Sequence, residues 1–177
     1  MDNNELYKPI CSSFLTVDKD IEQILKLLFI ESRPYSDILK RLLIINSPDC
    51  LDMKNQDYQK VIDSYSLSDL IEKKYIRLNP KIARGTHEEI KSYLIIALDS
   101  FSTNSKNPAY RDYNIFFDVV CYNDAWVLED YKIRPLSICG YIDGILNSIS
   151  NPRSTGYNNF NSQFKLSGIG EYEFLGC

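Results

Sequence analysis

The sequence predicts an α+β fold, a helical N-terminal half followed by a mostly antiparallel sheet packed with one helix. Up to Pro80 the apolar residues recur at helical spacing, and beyond it short β-branched and aromatic runs take over. The 177 residues, 44% hydrophobic and 25% charged, suffice for one core and carry no disordered or fibrous signature. Residues 1–80 are read as the helical region and 81–177 as the strand-rich region of one compact unit.

In the first region Thr16 or Asp18 can cap a helix in which Ile21, Ile24, Leu25 and Leu28 repeat, ending near Glu31. Pro34 suits the first turn of a second helix, where Ile38, Leu39, Leu42, Leu43 and Ile45 form an apolar face and Lys40 and Arg41 turn outward. Residues 46–49 stop it. A third helix is expected over 56–64 and a short fourth from the Ser66-Leu67-Ser68-Asp69 start.

Residues 93–98 and 113–120 read as strands. The polar turn formers of 102–108 between them predict an antiparallel hairpin with a long exposed loop. On the second strand Tyr113, Ile115, Phe117 and Val119 make a clean face for helices. Asn114, Phe116, Asp118 and Val120 make a mixed one, turned to water or a neighbour. Residues 126–128 are expected to be a short strand, and Arg134-Pro135 opens a helix lined by Ile138, Tyr141, Ile142, Ile145 and Leu146. A second polar loop spans 153–161. Residues 164–174 read as one bent strand kinked at Gly168 and Gly170.

The net charge of −4, from 20 basic and 24 acidic residues, argues against a nucleic-acid-gripping surface. It is unevenly placed: the first 85 residues hold 13 of each sign, whereas the remainder holds 7 basic against 11 acidic. Charge asymmetry of this kind suits head-to-tail contacts. The polar, acidic start lacks the order of a secretory signal, and no apolar run approaches the length of a membrane span, so a soluble protein is expected. Cys11, Cys50, Cys121, Cys139 and Cys177 form no C-x-x-C pair and read as reduced thiols, with Cys121 and Cys139 in apolar segments.

Catalytic motifs are sparse. There is no phosphate loop and no nucleophile elbow, and His87, the single histidine, sits beside Glu88 and Glu89 as a solvated residue. One enzymatic alternative stands: Asp99, Asp118 and Asp143 as Mg²⁺ ligands of a nuclease, with Glu129 as a further candidate. The leading expectation is no enzyme and no cofactor.

The stretch Asn107-Pro108-Ala109-Tyr110-Arg111-Asp112, the strand 115–121, Trp126 and the run from Arg134-Pro135 to Asp143 form an ordered pattern. It resembles virion proteins of tailed bacteriophages, particularly crAss-like phages, and the β-β-α-β module of tail terminators and head-tail connectors. The closing Leu166-Ser167-Gly168-Ile169-Gly170-Glu171-Tyr172-Glu173-Phe174 fits the same pattern, and the resemblance covers roughly 88–177. It implies a homo-oligomeric ring, twelve-fold or six-fold, in the phage neck between portal and tail. DNA would pass through its lumen without specific binding, and other neck or tail proteins would be neighbours. Heterologous ring closure needs two different surfaces per subunit. The candidate contact residues are Tyr110, Arg111, Trp126, Arg134, Tyr157, Phe160 and Phe174. Arg111 and Arg134 are expected to pair with Asp112, Asp130 or a neighbour's acids, and the apolar finish of the chain to be buried.

Overall fold

The structure, a computed structural model, describes residues 15–78, 92–106, 111–148, 167–169 and 174–176. Helix α1 (Leu15–Lys26) continues into a single π-helical turn, Leu27–Glu31. The wider turn brings the consecutive residues Leu28 and Phe29 both into the core. Thr16 and Asp18 lie inside α1 and do not cap it.

Helix α2 (Tyr35–Ile44) buries Leu39, Leu42 and Leu43 as its periodicity demands. Lys40 and Arg41 depart from the expectation, since both are buried and Arg41 is 0% exposed. Asp52, in the segment that folds back over α2, offers the guanidinium its carbonyl and Gln59 its amide oxygen, which offsets the cost of taking the two terminal nitrogens out of water. Helix α3 (Gln56–Asp63) is capped by the Asn55 side chain, which accepts from the Asp57 and Tyr58 N–H groups. Helix α4 (Leu67–Glu72) starts at a capping box in which Ser66 and Asp69 satisfy each other's backbone N–H.

The sheet is mixed and five-stranded, in the order β1-β2-β3-β5-β4. Strand β1 (Ile76–Arg77), too short to announce itself by alternation, pairs parallel with β2 (Tyr93–Thr103). Strands β2 and β3 (Arg111–Tyr122) form the predicted antiparallel hairpin. The register shifts between Leu98 and Ser100, so that Phe101 comes opposite Tyr113. Strands β4 (Ser167–Ile169) and β5 (Phe174–Gly176) pair antiparallel with each other, and β5 pairs with β3. The single bent strand expected over 164–174 is therefore two strands, because the chain reverses between them.

Helix α5 (Arg134–Ser148) packs on α2 and β3. Ile138, Ile142 and Ile145 join Leu94, Ile96, Val119 and Cys121 in the main core with the N-terminal helices, so the helical and strand-rich regions share that core. The clean face of β3 is as expected. The opposite face also buries a cluster at the base of the hairpin, Tyr93, Ile95, Ala97 and Val120, and is not simply turned to water. Residues 126–128 are not a strand: a 3₁₀ turn (Asn123–Ala125) precedes them and only an isolated bridge joins Val127 to Ile133.

Candidate subunit interface

The hairpin extends well past its flanking strands. Strand β1 reaches only Leu94 and Ile95, and β5 only Val120 to Tyr122. From Leu98–Ile115 to Thr103–Arg111 the ladder runs on as a two-stranded arm, and among the described residues no third strand covers either edge. A ladder of this kind is the type of sheet edge to which another chain can add a strand. Ser100, Ser102, Asp112 and Asn114 are exposed along the arm. Polar cross-links stiffen it: Asn114 donates to Ser100 Oγ at 2.9 Å, and Asn104 donates to both Asp112 carboxylate oxygens at 3.0 Å. A further tie runs to α1, where the Tyr113 hydroxyl donates to the Asp20 carboxylate. Burial, together with that carboxylate, pushes the Tyr113 hydroxyl well above the usual tyrosine range.

Arg134 is 0% exposed and spends all five donors on backbone carbonyls. Its Nε donates to Ala125 at 2.5 Å. One terminal nitrogen donates to Leu42 and Ile45 at 2.8 and 2.7 Å, and the other to Asn46 and Ser47 at 3.0 and 2.8 Å. This satisfies the carboxyl end of α2 with a cation, where both the orphan carbonyls and the helix dipole favour one. Arg134 is thus a tie between α2, α5 and the Ala125 turn. It pairs neither with Asp112 nor with Asp130 and offers nothing to a neighbour.

Arg41 donates to the Asp52 carbonyl at 2.8 Å and to Gln59 Oε1 at 2.9 Å. Cys50 is fully buried with these two guanidiniums near it. Burial pushes its thiol up, opposed by the charge of Arg134. Asp49, which accepts from Ser47 and from Tyr58 at 2.8 Å, is held below the usual carboxylate range.

Of the other candidates, Trp126 is half-buried against the main core. Arg111 opens β3 opposite Thr103, and Phe174 opens β5 opposite Tyr122 and Ile169. Tyr110, Tyr157 and Phe160 lie outside the described residues, as do His87, Cys11 and Cys177. The three carboxylates of the nuclease alternative are not brought together. Asp118 lies opposite Ile95 on the face away from α5, where burial raises it above the usual carboxylate range. Asp143 is on α5, accepting from Asn147 at 2.9 Å, and Asp99 is at the register shift of the arm. Among the described residues no group of three or more His, Cys, Asp or Glu is placed to hold a metal ion.

Sequence reasoning missed one exposed feature. Residues 127–133 form a closed finger in which Leu128 N–H donates to Lys132 at 2.8 Å and Tyr131 is 95% exposed. Its signal was a short polar stretch between Val127-Leu128 and Ile133.

The fold defines a small α+β protein in which a helical layer and a mixed sheet share a core, with the β2–β3 ladder running on beyond its flanking strands. The chain belongs to the YomW family, whose model matches residues 36–173, and that family is phage-associated, of the Bacillus phage SPBc2-like kind. The match runs from α2 through the strand-rich region, so it includes helices that the tail-terminator resemblance left out. No curated protein and no solved structure matches the chain. No described helix is long and apolar enough to cross a membrane.

Proposed function

We propose that this protein is a structural subunit of the phage particle, forming a ring in the neck between portal and tail and enclosing the DNA channel. The observation that carries the reading is the β2–β3 arm, whose outer ladder has uncovered edges among the described residues. A two-stranded ribbon is marginal alone, and pairing with a neighbouring subunit would cover it. Phage association of the family supports the setting. The acidic excess after residue 85 supports a lumen that repels phosphate and lets DNA slide. The role is non-enzymatic and needs no cofactor.

The reading is tested by mass spectrometry of purified particles together with sedimentation of the purified chain, alone and mixed with portal and tail proteins. Stoichiometric presence in particles and a closed oligomer are the expected results. Absence from particles, or a monomer under every condition, would contradict the reading. Mg²⁺-dependent DNA cleavage that disappears in Asp118→Ala would replace it with the nuclease.

A further inference from the structure

We propose that the finger formed by residues 127–133, with Tyr131 at its tip, docks on the basic, apolar surface of residues 71–78 of a second copy of this chain. The inference rests on the ring reading and names one of its contacts.

The finger is held rigidly. Val127 bridges Ile133, Glu129 N–H donates to the Pro48 carbonyl at 3.0 Å, and Arg134 N–H donates to the Trp126 carbonyl at 2.8 Å. Its tip is built against local preference, because Asp130 and Tyr131 have φ of 60° and 58°, a region that side chains with a Cβ disfavour and glycine does not. Tyr131 repays none of this inside the subunit, since its side chain lies in solvent. Val127 and Leu136 are exposed as well. The surrounding charges are Asp124, Glu129 and Asp130, with Lys132 alone of opposite sign, 3.9 Å from Asp130. A rigid aromatic side chain with little rotamer entropy to lose is the residue type that anchors interfaces.

The complementary surface lies at the end of α4. Ile71 and Leu78 are exposed large apolar residues. Lys73 and Lys74 are exposed and Glu72 is the one exposed acid between 71 and 78, while the half-buried Asp69, one turn back, feels the charge of Lys73 alone. The Lys73 ammonium lies over the Tyr65 ring, 4.1 Å from its centre. An acidic, aromatic projection and a basic, apolar surface on the same chain fit each other across two copies, in sign and in polarity.

The test uses the full chain under conditions where the wild type assembles. Tyr131→Gly removes the exposed ring and relieves the left-handed strain, so the isolated subunit should melt no lower than wild type. The concentration for half-assembly should nevertheless rise at least about tenfold. Charge reversal gives the second arm. Glu129→Lys with Asp130→Lys in one protein, and Lys73→Glu with Lys74→Glu in another, should each fail to assemble alone and should assemble when mixed. Charge-reversed proteins that assemble alone as wild type does, or a mixture that stays dissociated, would overturn the finger contact while leaving the ring intact. A wild type that never assembles, with or without portal and tail proteins, would remove the ring reading itself.

Discussion

Replacing Arg134 by methionine gives the sharpest test of what holds the helical and strand-rich regions together. The substitution keeps the aliphatic bulk and deletes five donors from a site with no solvent. The Ser47 carbonyl keeps a partner in the Cys50 N–H, at 3.2 Å, whereas the carbonyls of Ala125, Leu42, Ile45 and Asn46 lose the guanidinium. A buried acceptor left unpaired costs about 1–3 kcal/mol. Against this, the variant no longer has to desolvate a cation, which returns several kcal/mol. The net expectation is a loss of about 3–5 kcal/mol, a large share of the ~5–15 kcal/mol typical of a native domain. With a urea slope of about 2 kcal/mol/M, the midpoint should fall by roughly 1.5–2.5 M. The single tryptophan, Trp126, whose carbonyl accepts from Arg134 N–H, reports the transition by fluorescence. Arg134→Lys retains the charge with three donors in place of five and should lie between the two. A methionine variant that unfolds within about 0.5 kcal/mol of wild type would refute the reasoning, since that is the range of an ordinary surface substitution.

Other expectations follow from the same structure. Cys121 is fully buried and burial pushes its thiol up to about 11, so it and Cys50 should resist thiol reagents at pH 8 until the chain unfolds. Fast labelling of either in native protein, read by peptide mass spectrometry, would contradict their burial. Asp118 has a raised folded-state pKa, so its ionisation opposes folding: the stability it gives is complete below the unfolded carboxylate pKa and is lost as pH rises through the folded one. Asp118→Asn should therefore stabilise the protein at pH 7, by less than about 1 kcal/mol because the group is only partly buried, with the gain shrinking as pH falls through the folded-state value and gone below the unfolded carboxylate value of about 4. Tyr113 is likewise raised, so its contribution is present below pH ~10 and fades at higher pH. Tyr113→Phe should cost about 0.5–1.5 kcal/mol and increase hydrogen exchange along the arm.

Much of the fold was legible because local chemistry and tertiary role agreed. The apolar stripe of α2, the Ser66 cap of α4 and the turn formers between β2 and β3 each specify their element without help from distant residues. The misreadings occur where a distant segment supplies the reason. Arg41 and Arg134 look like outward charges in the sequence, and the acceptors that make burial favourable are brought by the fold: Asp52 and Gln59 to Arg41, and the end of α2, residues 45–47 and Ala125 to Arg134. Strand β1 has two residues and exists through its ladder to β2. The finger was hidden because neither left-handed residue is the glycine or asparagine that usually announces such a turn. The candidate site was legible only in outline: the hairpin and the acidic excess of its half were visible, whereas its ladder runs on to Thr103 and Arg111, into residues read as loop, and Arg134 belongs to the interior.

Electron microscopy of the intact phage particle tests the proposed role most directly. A closed ring of this chain at the neck, its β2–β3 arms crossing onto adjacent copies around a DNA-filled channel, is the predicted density. A neck with no density for this fold, or the chain located outside the particle, would contradict it.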